Sequence, residues 1–502
     1  MALAGDAGGR GTTDGRAQPR RARVAGLVLL VLALALVAAV YGPHLGHSTD
    51  DAFITYRYAR NLAGGEGLVF NPGERHLATT APGWAVALAG IARLAGPAAI
   101  PVASGLLSLV ALLGAVWLLS RRLVPDGSAL FLATCIPLAG NRWLVEVLGH
   151  EEFAQALLVV AALELLERLR PRAAGLVWGV AIFVRPDSAV LGAAAGLDEW
   201  RRRRRLPLSL LVAAVATAAL GLAVVWALSG SALPASLRVK LAEASAPALA
   251  VVPPYWPRLA QWCWRCWGWS GPPLFALSAA GWAWLVRHRR PEAVRMLVPG
   301  LVAFLFYPLL GVNFAPWYLV LPLLLATVGA GAALVVAWRR RLLALRLAAL
   351  VLAGLAVVAP LRWAVASAAV PPDPRTYDMR AAGRWIEAHS APGDVVATVE
   401  VGLLGFACER PMLDLVGLCS PGVLSSAVRG QLPDLVLARQ PAFLVYNNTF
   451  SYLLGPLFDD PRFLARYRME WRRPPPPGSR TEVQVWRRGR PTVGDERVEG
   501  AD

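Results

Sequence analysis

Long apolar stretches separated by short basic segments dominate the first three quarters of the chain. Eleven of them are long enough to cross, or nearly cross, a bilayer, for which a helix needs roughly 20 residues. They lie at about 24–41, 98–119, 127–140, 152–167, 173–184, 188–199, 207–228, 272–287, 295–311, 317–337 and 343–362. The first stretch lacks a small-residue cleavage site, so we expect a polar tail over 1–23 and a retained first helix.

The pattern changes after residue 370, where helix-like and strand-like pieces alternate. One piece predicts an amphipathic helix, "YDMRAAGRWIEAH". The pieces that predict strands are "GDVVATVEV", "RPMLDLVGL", "PAFLVYN" and "TEVQVWRR". We therefore expect an α/β domain over residues 371–490, which is a usual size for one domain, and a polar tail over 491–502.

Composition supports a membrane location and argues against a nucleic-acid partner. The 502 residues are 56% hydrophobic and 17% charged, with a formal net charge of +17. Such a hydrophobic chain is expected in a bilayer. The positive charge lies in arginine runs between apolar stretches, which is typical of cytoplasmic loops and argues against a nucleic-acid role. These runs occur at 20–23, 121–122, 168–172, 201–205, 287–290 and 339–341.

Eleven crossings from a cytoplasmic N-terminus place every arginine run inside. The predicted fold class is thus a polytopic α-helical membrane protein of about 11 transmembrane helices with a C-terminal extracytoplasmic α/β domain. Residues 24–362 form the membrane module, and we interpret the short apolar run at 81–96 as a helix in the outer interface. The segments expected outside are 42–97 (the first outer loop), 141–151, 185–187, 229–271, 312–316 and the C-terminal domain.

Adjacent carboxylates, Asp50 and Asp51, stand at the start of the first outer loop. In an extended segment they would point to opposite sides, so that one could face a substrate while the other binds backbone, an arginine or a cation such as Mg²⁺ or Mn²⁺. Partial desolvation at the hydrocarbon boundary would raise a carboxyl pKa and suit it to general-base catalysis. Alternatively, both residues cap the helix that follows, since Asp is a favoured N-cap.

Further charged and aromatic residues are expected on the same face, where cations would suit a phosphate. The candidate substrate-binding residues are Arg57, Glu151, Arg185, Arg238, Lys240, Trp317 and Tyr318. Lys240 is the only lysine in the chain, and its compact ammonium makes it the preferred phosphate ligand, unless it survives by chance. The guanidinium of Arg185 could bind phosphate or pair with Asp187 as a structural lock.

The segment 255–270 carries five tryptophans, which could form an interfacial belt or stack on sugar rings. Two disulfides outside the cytoplasm are conceivable, Cys263 with Cys266 and Cys408 with Cys419, and the sequence leaves both open. Glu400 and Asp414 fall at predicted strand ends, where folding roles are favoured over catalysis.

The ordered series "DDAFITYRYARNLAGGEGLVFNPGE", "GHEE", "GVAIFVRPD", "LPASLRVK" and "DLVGL" resembles bacterial GT-C-type membrane glycosyltransferases. More narrowly, it resembles the branch that contains the terminal β-(1→2)-arabinofuranosyltransferase of actinobacterial cell walls. The resemblance implies a polyprenyl-phosphate sugar donor, a cell-envelope acceptor, and an essential carboxylate at Asp50 or Asp51 on the outer face of the bacterial cell membrane. Glu151 is the carboxylate that matches the second motif.

Two other classes of protein also combine many crossings with polar helix ends. A transporter or flippase of lipid-linked sugars would show inverted repeats and ionisable groups near the midplane, and neither is evident here. A non-catalytic scaffold would not need acids and cations focused on one surface. The sequence therefore predicts a glycosyltransferase that uses a polyprenyl-phosphate sugar, with the transporter as the alternative.

Overall fold

The computed structural model of the chain describes residues 17–231, 234–245, 255–340, 342–367, 374–474 and 481–489. Helices make up most of this part. Up to residue 367 they are α1 Ala17–Tyr41, α2 Asp50–Gly64, α3 Pro82–Ala95, α4 Ile100–Leu123, α5 Gly127–Ala139, α6 Arg142–Glu146, α7 Glu152–Glu167, α8 Pro171–Val184, α9 Ser188–Arg203, α10 Leu208–Ser229, α11 Ser236–Ser245, α12 Tyr255–Trp267, α13 Gly271–His288, α14 Arg290–Leu309, α15 Val320–Arg339 and α16 Leu343–Ala366.

The predicted polytopic helical fold is confirmed, since each of the eleven apolar stretches lies within an α-helix or exceeds it by no more than three residues at one end. Within the described residues, six helical segments are long and apolar enough to cross a membrane. They are Val24–His44, Pro97–Leu123, Leu208–Ser229, Pro291–Leu309, Pro316–Arg339 and Leu343–Ala366. Shorter apolar helices occupy Pro82–Ala95, Gly127–Ala139 and Pro171–Val184. The helix α1 begins seven residues before the predicted start of the first crossing, inside the expected tail; the tail expected at 491–502 lies outside the described residues.

Ion pairs gather the arginine-rich helix ends at one end of the bundle. Arg122, at the end of α4, donates to Glu167 at the end of α7 over 2.6 Å. The Arg295 guanidinium of α14 also bonds Glu167 and reaches Asp198 at 3.1 Å and Glu199 at 3.0 Å, both on α9. The ends of α4, α7 and α9 thus meet the start of α14, and the predicted topology puts all four of these ends on the cytoplasmic side. Their arginines and carboxylates pair with one another.

The segment predicted as the first outer loop is largely helical. Asp50 and Asp51 are the first two residues of α2, and Thr49 is its N-cap, so neither the extended nor the N-cap interpretation describes them. Acidic residues in a first turn stabilise a helix because its N-terminus carries partial positive charge. The helix α3 packs against α2, and Phe53, Tyr58 and Trp84 from this pair are buried.

The C-terminal part forms a five-stranded mixed sheet flanked by helices. Its elements are α17 Pro374–His389, β1 Val396–Thr398, α18 Gly402–Ala407, β2 Met412–Asp414, α19 Leu424–Val428, α20 Leu432–Arg439, β3 Phe443–Asn447, α21 Ser451–Phe458, α22 Pro461–Leu464, β4 Tyr467–Arg473 and β5 Val483–Arg488. The strand order is β2-β1-β3-β5-β4, parallel from β2 to β3 and antiparallel beyond. The predicted helix and four strands are present, whereas β4 was not predicted.

The sheet domain shares a hydrophobic core with α2 and the segment that follows it. One buried cluster joins Phe53 and Phe70 to Ile386, Leu404 and Phe443. Burying apolar surface between the two parts removes it from water, at roughly 25 cal/mol per Å². The domain is therefore packed on α2, not tethered loosely above the bundle, and this packing places it over the ends of the helices.

Candidate active site

A cavity of about 400 Å³ lies between the helical bundle and the sheet domain. Its walls come from the start of α2, from α11 and α12, from the segment between α14 and α15, and from the loops after β1, β2 and β3. Asp51, Lys240, Trp317 and Tyr318 all line it, as does Glu400 of the sheet domain. Asp50 lines it too, so the fold gathers five of the candidate site residues, although up to 268 positions separate them.

Lys240 is held at the cavity by an aromatic pair. Its Nζ donates to the Tyr318 hydroxyl over 2.5 Å. The Tyr318 ring stacks on Tyr307 with 3.6 Å between ring centroids and 7° between planes. An ammonium group has three donors, and a stacked phenol fixes where this one points. The lysine is therefore a positioned cation at the wall of the cavity.

The two adjacent carboxylates have different surroundings. Asp50 accepts hydrogen bonds from the backbone N–H groups of Gly402 at 3.0 Å and Leu403 at 2.7 Å, at the start of α18. A Cβ at position 402 would lie 1.9 Å from the Asp50 carbonyl oxygen, so only glycine allows this approach. Asp51 is exposed at the cavity wall. Asp50 thus joins α2 to the sheet domain at the cavity wall, and Asp51 is exposed to the cavity.

The pKa of Asp50 makes the stability of the contact between α2 and α18 depend on pH. Burial, helped by the nearby Glu400 carboxylate, raises this pKa from 3.8 to about 7. Because the pKa is higher in the folded chain, the folded chain binds this proton more tightly than the unfolded chain does. The contribution of the Asp50 carboxyl to the free energy of unfolding is therefore fully present below about pH 4 and is lost as pH rises to about 7. Between pH 4 and pH 7 the thermal midpoint of the wild type should fall more steeply than that of Asp50→Asn; parallel curves would contradict this.

Arg57 does not line the cavity, which corrects its expected role as a phosphate ligand. Its buried guanidinium donates to the carbonyl oxygens of Phe70 at 2.8 Å, Gly405 at 2.6 Å and Arg410 at 2.8 Å. Gly405 lies in the last turn of α18, and Arg410 lies three residues after its end. Arg57 thus bonds carbonyl groups at the C-terminal end of α18, while Asp50 bonds amides at its N-terminal end. The arginine holds the sheet domain in place.

Replacing Arg57 by Met should destabilise the packed domain. The change leaves several buried carbonyl groups without a donor, and each unsatisfied group costs about 1–3 kcal/mol. We expect the unfolding free energy to fall by about 3 kcal/mol or more, with faster proteolysis after residue 370. Arg93→Met on α3 is the matched control, because Arg93 is exposed and makes only a 3.5 Å bond to the Leu62 carbonyl. Equal effects of both changes would contradict this role.

Arg185 pairs with buried carboxylates and is not among the cavity residues, which favours its structural interpretation. The guanidinium is 3% exposed and binds Glu151 at 2.7 Å, Glu152, and Asp187 at 3.1 Å. It also donates to the Tyr307 hydroxyl over 2.8 Å. Through Tyr307 this cluster supports the ring on which Tyr318 stacks, so Arg185 braces the cavity wall from behind.

The remaining candidates divide between the cavity region and the surface. Glu151 reaches a small adjoining hollow of about 40 Å³, whose walls also include Asp51, Lys240 and Trp317. Arg238 is exposed and is not among the cavity residues, which corrects its assignment. On α11 it lies two residues from Lys240, and residues two apart on a helix do not share a face.

Two arginines on α12 line the cavity and were not predicted as site residues. Arg258, Trp262 and Arg265 all line the cavity. Their spacing of four and then three residues is the signal that places them on one helix face. Trp262 is the tryptophan of the 255–270 segment that reaches the cavity, whereas Trp264 and Trp269 are mainly exposed, as an interfacial belt requires. The arginines that line the cavity thus come from α12 and not from the positions predicted.

The loop after β2 is shaped by Asp414, as its expected folding role implies. The carboxylate accepts hydrogen bonds from the backbone N–H groups of Val416 at 2.9 Å and Cys419 at 2.6 Å. Burial raises the pKa of this carboxyl, while those amides oppose the rise. The loop then places Val416 and Leu418 at the cavity.

The suggested disulfides are absent. All five cysteines lie in the described residues and are free thiols, which corrects both pairings. Cys408 and Cys419 are each buried beside the packed α2–α18 contact, where they behave as small apolar side chains.

Two solved structures have a fold similar to that of this chain. The chain aligns with the crystal structure of ArnT from Cupriavidus metallidurans in the apo state at a TM-score of 0.53 and 15% identity, covering 92% of this chain and 98% of that one. For ArnT bound to undecaprenyl phosphate the TM-score is 0.56 and the identity 14%, with 91% and 97% covered. Identities this low show the fold alone, and it is the ArnT-like GT-C fold.

Comparison of the sequence with protein-family models gives a match in the C-terminal part of the chain. Residues 372–494 match a family model described as a domain of unknown function (DUF8728). No curated protein matches the chain. The narrower resemblance to the arabinofuranosyltransferase branch stays a prediction.

Proposed function

We propose that the chain is a membrane glycosyltransferase that moves a sugar from a polyprenyl-phosphate donor to a cell-envelope glycan, lipid or protein. The observation that carries this proposal is the convergence of Asp51 and Lys240 on one cavity beneath the sheet domain. The ArnT-like GT-C fold supports the reaction class, and one of the two aligned ArnT structures holds undecaprenyl phosphate. The resemblance in sequence supports an arabinofuranosyl donor.

Lys240 is proposed to hold the donor phosphate. A phosphodiester that leaves as a phosphate monoester gains negative charge, and a positioned cation stabilises that charge. Arg258 and Arg265 line the same cavity and add positive charge. Arg265 also contacts Glu146 at 3.3 Å, so part of its charge is already neutralised. Lys240 therefore takes the leading role, with Arg258 in support.

Asp51 is proposed as the catalytic carboxylate. It accepts the proton of the acceptor hydroxyl while the new bond forms between that oxygen and the anomeric carbon of the sugar. The bond between the anomeric carbon and the phosphate oxygen breaks, and polyprenyl phosphate leaves beside Lys240. Asp50 is the positioning residue, because its contacts with α18 fix the first turn of α2. Trp317 offers an aromatic face on which a sugar ring packs.

The cavity is proposed to open at the extracytoplasmic side of the cell membrane. The arginine runs mark the opposite end of the bundle as cytoplasmic, in line with the positive-inside rule. The donor's apolar chain would then lie between helices in the outer leaflet. The sheet domain roofs the cavity with Glu400, Val416 and Tyr452, and we propose that it contacts the acceptor.

Release of free polyprenyl phosphate tests this function. Purified protein is incubated with a panel of polyprenyl-phosphate pentoses and hexoses and with cell-envelope acceptors, and products are identified by mass spectrometry. We expect acceptor-dependent release of polyprenyl phosphate from one class of donor. Movement of intact lipid-linked sugar across proteoliposomes, without release, would instead support the transporter.

A further inference from the structure

A buried cluster of possible metal ligands lies where α7 begins, apart from the Asp50–Asp51 pair. His150, Glu151 and Glu152 each offer one ligand atom, and these atoms lie within 4.8 Å of one another. The three residues are 2%, 4% and 3% exposed. Metal–ligand bonds of about 2.1 Å bring ligand atoms to separations of about 3–4 Å, so small side-chain rotations would close the cluster around an ion.

One carboxylate oxygen of this cluster lacks a partner. Within the described part of the chain, Glu152 Oε2 is buried and has no hydrogen-bond partner, while Oε1 binds Arg185. It lies 3.7 Å from His150 Nδ1, which is too far for a hydrogen bond. A buried carboxylate oxygen left unsatisfied is costly, which points to an unseen ligand.

The imidazole of His150 is oriented as a metal ligand would be. Its Nε2 hydrogen-bonds with the Thr49 hydroxyl at 2.7 Å. Its ring stacks on Trp317, with 4.7 Å between centroids and 12° between planes. Metal-binding histidines usually bond through the second ring nitrogen, which fixes the ring and leaves the first nitrogen for the ion. Here that arrangement turns Nδ1 toward Glu152.

Charge balance also favours a cation. Glu151, Glu152 and Asp187 surround Arg185, so three carboxyl groups meet one guanidinium, a formal sum of −2 when all three are ionised. Buried charges are stable only when they are paired or bind a metal. A divalent ion would bring the sum to zero.

We propose that His150, Glu151 and Glu152 bind one divalent cation. One imidazole nitrogen with carboxylate oxygens suits Mn²⁺ or Zn²⁺ better than Mg²⁺ or Ca²⁺, which prefer oxygen ligands alone. The small hollow that Glu151 reaches is also lined by Asp51 and Lys240, so an ion here would face that hollow and add positive charge beside it. The site goes beyond the proposed function, because it binds metal whether or not the chain transfers sugar.

Binding of Mn²⁺ to the full-length protein tests the site. Purified protein is stripped with chelator and equilibrated with Mn²⁺ alone, and bound metal is counted by electron paramagnetic resonance and elemental analysis. We expect about one Mn²⁺ per chain and, in pulsed spectra of the wild type, coupling to an imidazole ¹⁴N nucleus. His150→Gln and Glu152→Gln should weaken binding by about 10- to 100-fold or more.

Asp51→Asn is the matched control, because it removes the carboxylate of the first acidic pair and leaves the proposed ligands intact. Its Mn²⁺ stoichiometry should stay at about one. Absence of ¹⁴N coupling in the wild type would overturn the proposal without any variant, as would loss of the ion in Asp51→Asn with retention in Glu152→Gln. None of these readouts depends on sugar transfer, so failure of the metal site and failure of the proposed function can be told apart.

Discussion

Asp51→Asn should abolish sugar transfer while leaving donor binding nearly unchanged. Asn keeps the size and polarity of the side chain but cannot accept the hydroxyl proton, and a positioned general base contributes about 10²- to 10⁴-fold to rate. We expect kcat to fall by at least about 10²-fold, with a donor KM within about threefold of the wild type. Release of polyprenyl phosphate under saturating donor measures the effect.

Asp50→Asn is the matched comparison, because the two aspartates are neighbours with different partners. Asp50 contacts the Gly402 and Leu403 amides, so its replacement should lower kcat less than Asp51→Asn does. The opposite ranking, with Asp50→Asn inactive yet fully stable and Asp51→Asn active, would assign catalysis to Asp50.

Lys240→Ala should act mainly on the donor. A hydrogen bond to a charged group contributes about 1.5–3 kcal/mol, which corresponds to about 10- to 100-fold in affinity. Loss of the ammonium should therefore raise the donor KM by that factor and also lower kcat, since the leaving phosphate loses a cation. Titration with polyprenyl phosphate as a product inhibitor gives the affinity independently of turnover.

Arg238→Ala is the matched control for this effect, because Arg238 is a cation on the same helix that is exposed and away from the cavity. It should change the donor KM by less than about twofold. Equal losses in Lys240→Ala and Arg238→Ala would mean that general surface charge, rather than a positioned cation, attracts the donor.

The pattern of apolar residues along the chain was enough to predict most of the helices. The apolar stretches became helices because every backbone polar group in a bilayer must be bonded within its own segment. The strand β4 escaped prediction because it is an edge strand. Its sequence includes Arg468, Glu470 and Arg472, and a register shift between Met469 and Trp471 interrupts its pairing.

The site was only partly predictable, because charge does not reveal its partner. Arg57 resembled a phosphate ligand in sequence, yet its acceptors Gly405 and Arg410 lie about 350 positions away. Likewise, Arg185 could not be assigned before Glu151 was seen at 2.7 Å. Local spacing could have revealed Arg258 and Arg265, since a helix over α12 places both on one face.

A structure of the chain with bound polyprenyl phosphate tests the central claim most directly. The account predicts phosphate density inside the cavity, with a phosphate oxygen about 2.7–3.0 Å from Lys240 Nζ and Asp51 facing the same space. Phosphate bound instead among the arginine-rich helix ends around Arg122 and Arg295, with the cavity left unoccupied, would contradict it.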